Sequence, residues 1–259
     1  MSVRVLAVVQ ARVGSTRLPG KALLSIAGKP MVAHVLQRVQ AIRAVDQVVL
    51  ATTVRSEDDE LADFARSVGI ACVRGSVDDV LDRFRAAVTS YPTDVVVRGT
   101  ADCPLLDPRV SARVLRKYLR LSGRVDYVSN VRPLTYPDGL DTEVFSSQAL
   151  ERACHLATRP SDREHVTTYM LDHPEEFTRS KVKHRPNLSA KRWTVDTKED
   201  LEFVRAVYGA LSPRGDRIFG MTEVLELLRQ RPDLEMINAH IRRNEGLELS
   251  RARDPRHDG

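Results

Sequence analysis

The stretch Gln10-Ala-Arg-Val-Gly-Ser-Thr-Arg-Leu-Pro-Gly-Lys21 follows the apolar run Val3 to Val9, and its reading decides the fold. An apolar run of about seven residues that gives way to glycines, hydroxyls and cations reads as a buried strand opening into a loop. Gly14 and Gly20 allow close backbone approach, Ser15 and Thr16 offer hydroxyls, and Arg12, Arg17 and Lys21 supply charge. Backbone N–H groups and cations aimed at one place suit a polyphosphate. A basic surface loop is the plainer alternative. The stretch is not a Walker A loop, because five residues separate Gly14 from Gly20-Lys21 and Ala22 stands where a magnesium-binding hydroxyl belongs. It is not G-x-G-x-x-G either.

Working outward, strand-like and helix-like periods alternate, the mark of βαβ units. Val3 to Val9, Gln47 to Thr52, Ile70 to Val73 and Asp94 to Arg98 read as strands. Val32, Val35, Leu36, Val39 and Ile42 recur at helical spacing, as do Leu61, Phe64, Ala65 and Val68, and then Val80, Leu81, Phe84 and Val88. The pattern predicts an α/β protein with a mainly parallel, Rossmann-type sheet, helices on both faces, and a ligand crevice beyond the strand C-termini. From about 124 to 190 the character changes to an α+β insertion expected to cover that crevice. It has strand-like pieces at Asp126 to Ser129, Thr142 to Phe145 and Phe177 to Lys183, and helices at Ala149 to Ala157 and Glu164 to Leu171. The chain returns to the core with Arg192 to Val195 and a helix over Lys198 to Leu211. Residues 1–250 read as one domain, and the polar Arg251 to Gly259 as a disordered tail.

The 259 residues are 42% hydrophobic and 29% charged, ordinary for a globular protein. A net charge of +5 suits an anionic small substrate, but it is too dispersed for nucleic acid, and aromatics at 5% do not interleave with the basic residues as stacking platforms. Cys72, Cys103 and Cys154 are odd in number and widely spaced, which suggests neither disulfides nor zinc and fits a reducing cytoplasm. The first apolar run is too short for a signal-peptide core, and no stretch approaches a membrane span. The expectation is a cytoplasmic protein without a membrane or nucleic-acid partner.

"RVGSTRLPGKALLSIAGKPM", Arg12 to Met31, resembles the N-terminal signature of the sugar cytidylyltransferases, especially the CMP-3-deoxy-manno-octulosonate synthetases and their acylneuraminate relatives. Later blocks are closer to the spore-coat polysaccharide biosynthesis cytidylyltransferases. These are "RGSVDDVLDRF" (Arg74 to Phe84), "DCPLLDP" (Asp102 to Pro108), "YPDGLDTEVFS" (Tyr136 to Ser146), "DREHVT" (Asp162 to Thr167) and "RWTVDTKEDLEFV" (Arg192 to Val204). They occur in the family's order over roughly residues 3 to 210. The resemblance implies the nucleotide-diphospho-sugar-transferase fold and a magnesium-dependent enzyme joining CTP to an acidic sugar with loss of pyrophosphate. Surface-polysaccharide or glycoconjugate precursor biosynthesis and a homodimer are implied with it.

The resemblance places phosphate-binding groups at Arg12 and Lys21, which with Asp102 form the expected catalytic set. Gln10, Ala11, Arg12, Gly14, Ser15, Lys21, Asp79, Arg83 and Thr100 form the expected nucleotide site. Asp102 follows a strand and precedes Pro104, which holds its carboxylate at the sheet edge, although a turn aspartate reads the same way. Ala101 replaces the family's usual Gly, and its Cβ is expected to narrow the nucleotide's approach. Asp107 before Pro108 reads as an N-cap. Asp196 ends a strand just before Thr197, which with Asp200 resembles a capping box, so Asp196 is left to join Asp102 in binding Mg2+. Asp78 suits a helix start.

Asn130, Asp138, Asp141, Glu143, Arg163 and His165 carry the insertion's polar content and form the expected acceptor site. Arg163 is the partner expected for an acidic acceptor, since guanidinium binds carboxylates in bidentate fashion. His165 reads equally well as an acceptor contact or a structural histidine. Arg17 reads as a triphosphate contact or, nearly as well, as a solvated loop arginine, Lys29 as structural, and the alternation Arg179, Lys181, Lys183 as an edge-strand guard ahead of an acceptor-side cationic wall or a partner surface. A glycosyltransferase of the same fold is the enzyme alternative, weakened because Asp102-Cys103-Pro104 is not a D-x-D motif. A non-catalytic nucleotide-binding module is the other.

Overall fold

β1 (Val5–Gln10) is buried along nearly its whole length and sits inside the main sheet of a computed structural model that describes residues 3–243 and 245–255. A central parallel strand covered on both faces needs a continuous apolar run rather than an alternating one, which is how Val5 to Val9 reads. After β1 the chain forms a small hairpin, β2 (Ser25–Ile26) and β3 (Lys29–Pro30), then α1 (Met31–Gln40), β4 (Gln47–Thr53), α2 (Asp59–Ser67), β5 (Ala71–Gly75), α3 (Val80–Ser90), β6 (Val95–Thr100) and α4 (Pro108–Arg120). There follow β7 (Tyr127–Ser129), β8 (Glu143–Ser146), α5 (Ser147–Leu156), α6 (Pro160–His165), α7 (Thr168–Asp172) and β9 (Arg179–Lys181). The chain continues with α8 (Lys198–Leu211), α9 (Met221–Gln230), α10 (Pro232–Met236) and α11 (Glu245–Ala252).

The sheet order is β5-β4-β1-β6-β8-β7-β9. β5, β4, β1 and β6 are parallel, β8 runs antiparallel to both β6 and β7, and β9 lies parallel to β7. Side chains of β1 alternate between two cores. Val5, Ala7 and Val9 pack with Val35 of α1, Val114 of α4 and Val204 of α8, whereas Leu6 and Val8 pack with Phe84 of α3 and Leu150 of α5. This is the expected α/β arrangement with helices on both faces.

The helix starts follow their sequence signals. Asp79 accepts from the Asp82 N–H, and Asp107 from Arg109 N–H, each at an N-cap. Thr197 and Asp200 form the capping box expected of them.

Four features differ from the sequence reading. Strands β7, β8 and β9 extend the main sheet rather than forming a separate cover, because β8 pairs with the free edge of β6 and so satisfies its backbone groups. The single helix expected over Glu164 to Leu171 is two helices, broken at Val166, whose φ of 62° lies where β-branched residues rarely go. Arg192 makes an isolated bridge to Asp138 in place of a core strand. The stretch from Arg251 begins inside α11, and Asp254 accepts from Ser161 N–H and Oγ, while residues 256–259 lie outside the described residues. β9 ends the sheet with Arg179 and Lys181 exposed, so those cations stand on an edge strand.

Candidate active site

The sheet order reverses between β1 and β6, where Gln10 lies opposite Thr100. Loops leaving two adjacent parallel strands in opposite directions open a crevice beyond their C-termini. A cavity of about 340 Å³ occupies that place. Gln10, Arg98, Thr100 and Asp102 line its base, Asp138, Asp141 and Glu143 one wall, and His165, Thr167 and Thr168 another; Arg17, Arg192 and Asp196 also face it.

Lys21 begins a 3-10 turn, Lys21–Leu23, and points inward. Its Nζ donates to Asp102 Oδ2 at 3.1 Å, Asp196 Oδ1 at 2.8 Å and the Val195 carbonyl at 3.1 Å. Asp196 also meets Arg17 at 3.0 Å and Arg192 at 3.2 Å, so it is not left free by the cap that follows it. Main-chain contacts join the two carboxylate-bearing segments, because Val195 N–H and Thr194 Oγ1 both donate to the Asp102 carbonyl. Burial pulls the Lys21 pKa down, but Asp102 and Asp196 outweigh it and the net shift is upward. Burial pushes Asp102 up, and Lys21 reverses this, leaving its pKa at about 2.

The Asp102 and Asp196 carboxylates, both bound to the Lys21 ammonium, form a hard-oxygen donor pair of the kind Mg2+ takes, with phosphate and water completing the shell. Among the described residues no group of three or more His, Cys, Asp or Glu forms a protein-only metal cage.

The wall of Asp138, Asp141 and Glu143 pairs carboxylates with arginines. Arg98, on β6, forms an ion pair with Glu143 directly opposite on β8, and its Nε donates to Gln10 Oε1 at 3.2 Å. Glu143 also accepts from Tyr127 OH at 2.5 Å and Thr167 Oγ1 at 2.6 Å. Arg192 binds Asp200 through two nitrogens and reaches Asp138 at 3.2 Å. Burial raises Asp138 to about 7 despite the opposing charges of Arg243 and Arg192.

Gly139 explains how this wall closes on the rest. Its φ is +97°, and a Cβ there would lie 2.7 Å from the Trp193 carbonyl carbon. Only glycine lets the two backbones meet in the Asp138–Arg192 bridge.

Most of the expected site residues fall into two groups. Gln10, Thr100, Asp102, Asp138, Asp141, Glu143, His165 and Asp196 line the cavity. Arg12, Asp79, Arg83 and Arg163 gather instead around the start of α3. Arg12 lies 3.8 Å from Glu164, and Arg83 is buried with neither Nε nor Nη1 hydrogen-bonded among the described residues. Burial and the nearby charge of Arg12 pull Arg83 down to about 10.

Arg163 is not aimed at the cavity as expected. Its Nε donates to Asp79 at 2.6 Å and its Nη1 to the Cys154 and Ala157 carbonyls, because the N-cap carboxylate of α3 and the end of α5 lie beside it. Asn130 is also turned inward, its amide linking the Leu140 carbonyl to Thr142 N–H. Lys21 does not line the cavity, being engaged by its two aspartates. Ala11 is buried beside Ala51, Ser15 Oγ accepts from Leu18 N–H within its own loop, and Gly14 lies over Glu57. The Cβ of Ala101 is packed in the core and does not narrow the cavity.

His165 and Thr167 flank the turn at Val166, where Thr167 N–H donates to the His165 carbonyl at 2.6 Å. This tight turn with positive φ directs both flanking side chains to the cavity. Among the described residues His165 Nε2 is buried without a hydrogen bond, and burial lowers its pKa.

Arg98, Arg192, Arg243 and Thr167 were missed by the sequence reading. Arg98 carried a signal: it is a cation inside the otherwise apolar strand Val95-Val-Val-Arg-Gly-Thr100.

A family model described as Cytidylyltransferase matches residues 6–230. The chain is 33% identical over 242 residues to the uncharacterized protein MJ1063 of Methanocaldococcus jannaschii, covering 92% of this chain and 96% of that one. It is 30% identical over 236 residues to the spore coat polysaccharide biosynthesis protein SpsF of Bacillus subtilis, covering 88% and 95%. A cytidylyltransferase structure from Leptospira borgpetersenii superposes with a TM-score of 0.85 at 30% identity, covering 90% of this chain and 97% of that one.

Proposed function

This chain belongs to the cytidylyltransferase family, and on that premise we propose that it transfers CMP from CTP to a hydroxyl of an acidic sugar, releasing pyrophosphate, in the making of a surface-polysaccharide or glycoconjugate precursor. The observation that carries the reading is the Lys21 ammonium bound by Asp102 and Asp196 at the switch point of the sheet. In the transfer an acceptor oxygen forms a bond to the α-phosphorus while the bond to the β-phosphate oxygen breaks. Nearly all the catalytic work is therefore alignment and charge neutralisation.

In this reading Arg12 and Arg83, with the backbone of the Gly14–Gly20 loop, take the nucleotide. Lys21 draws Asp102 and Asp196 to one place and holds Asp102 ionised, in the state that an oxygen-seeking cation needs. Bound Mg2+ would be held by those two carboxylates and supplies Lewis-acid neutralisation of phosphate oxygens. The acceptor occupies the cavity against Asp138, Asp141 and His165. With Arg163 engaged by Asp79, an acidic group on the acceptor meets Arg242 on the rim, beside Arg17 and Arg132, which pair with Asp196 and Asp172.

The free cysteines fit a reducing compartment, and a cytoplasmic homodimer is part of this proposal. No described helix is long and apolar enough to cross a membrane.

The test is a pyrophosphate-release screen of the four nucleoside triphosphates against sugar acids and phosphorylated polyols. Release with CTP and one acceptor class is expected. Binding of CTP without release in any pairing would favour a non-catalytic nucleotide-binding module.

A further inference from the structure

The segment after α10 passes over the cavity. It lies beyond residue 230, where the family match stops, yet Arg242, Gly246 and Leu247 belong to the cavity wall. α11 packs on α6, and this contact is fastened by Ser250 Oγ donating to Glu164 at 2.6 Å and by Asp254 accepting from Ser161 N–H at 2.9 Å.

Within this strap Arg243 turns into the wall, its side chain only 13% exposed. Its Nη2 donates to both oxygens of Asp141, at 2.7 and 2.8 Å, and its Nη1 donates to the Tyr136 carbonyl at 3.3 Å. Its Nε lies 3.3 Å from Asp138 Oδ1. One guanidinium thus touches both carboxylates of the Asp138-Gly-Leu-Asp141 turn. Arg192, by contrast, reaches Asp138 but is bound mainly by Asp200.

In its ionised form a carboxylate is an acceptor-only group with about four lone-pair sites, so each then retains capacity after meeting the guanidinium. Both residues face the cavity. An acidic group placed against this wall would be repelled, whereas hydroxyls could donate to it.

We infer that Arg243 is an acceptor-positioning residue, which holds Asp138 and Asp141 together so that they accept hydrogen bonds from neighbouring hydroxyls of a polyhydroxylated acceptor. The inference rests on the cytidylyl-transfer reading of the cavity. It assigns to the strap a part in acceptor choice, and it predicts that the acceptor presents its hydroxyls here and any acidic group to the arginine rim.

The test uses Arg243→Ala and Arg243→Lys in the full chain, assayed by pyrophosphate release from CTP with 3-deoxy-manno-octulosonate and a panel of other polyhydroxylated acids. The acceptor KM of Arg243→Ala should rise about tenfold or more, the equivalent of one charge-assisted hydrogen bond, while the CTP KM stays within about twofold. Arg243→Lys retains the charge but cannot grip both carboxylates, so it guards against simple misfolding and should show a smaller rise confined to the acceptor. An unchanged acceptor KM in both variants, or equal rises for acceptor and CTP, overturns the inference. Failure of the broader reading shows in the wild type, as no pyrophosphate from any pairing, and removes this inference with it.

Discussion

Asp102 and Asp196, far apart in sequence, place one oxygen each within 3.1 and 2.8 Å of the same Lys21 Nζ. The contact joins three segments that the sequence separates: the loop after β1, the loop after β6 and the entry to α8. It also places a lysine shared by two aspartates beside the cavity where β1 and β6 end.

Lys21→Ala should therefore damage stability as well as turnover. Removing the ammonium leaves the part-buried Asp102 without its cation and Asp196 with only Arg17 and Arg192, an expected loss of about 1–3 kcal/mol. Activity should fall about 10²-fold or more, as for other charge-stabilising groups. Thermal melts at pH 7 and the kcat/KM for CTP-dependent pyrophosphate release check both. Full stability with normal turnover would remove Lys21 from the centre.

Asn at position 102 or 196 should each abolish most activity and raise the Mg2+ concentration needed for half-maximal rate. Because both carboxylates act on one ion in the proposed mechanism, the double variant should lose far less than the product of the single losses. A magnesium titration unchanged in either single variant would dissociate that residue from the metal.

Arg163→Ala is expected to behave as a structural change. Its guanidinium holds the α3 N-cap residue Asp79 and two carbonyls at the end of α5. The melting temperature should drop, and the acceptor KM should rise no more than the CTP KM. A rise confined to the acceptor would restore Arg163 to the acceptor site.

Asp138 sets a pH dependence of stability. Burial raises its folded-state pKa to about 7, well above the unfolded value, so the folded protein holds this proton more tightly. Stability from this group is greatest below about pH 4 and is lost as pH rises through about 7. Melting temperatures between those limits should decline with pH in the wild type and decline less in Asp138→Asn. An identical slope in the two proteins would contradict the assignment.

Much of the fold was legible because its signals are local. The apolar run of β1, the helical spacing of Val32, Val35 and Val39, and the capping pair Thr197 and Asp200 each depend on residues within one element. The carboxylates were legible too, since Asp102 and Asp196 close segments with recognisable ends. What stayed hidden depends on distant partners. Nothing near Arg163 announces that Asp79 will claim it, and nothing in Ile241-Arg-Arg243 announces a contact with Asp141. The break at Val166 has no Gly or Pro to mark it, because tertiary packing of the fully buried side chain holds the turn.

The bridge between Asp138 and Arg192, closed over Gly139, has an evolutionary consequence. It couples the backbone of the cavity wall at Asp138 to the segment that delivers Asp196, so drift in one displaces the other. New acceptor preferences are then reached most cheaply through side chains elsewhere on the cavity, such as Arg132, Leu134 and Leu171, which can be exchanged without moving that seam. Diversification within such a lineage should concentrate there, while the glycine and its two flanking strands of chain stay fixed.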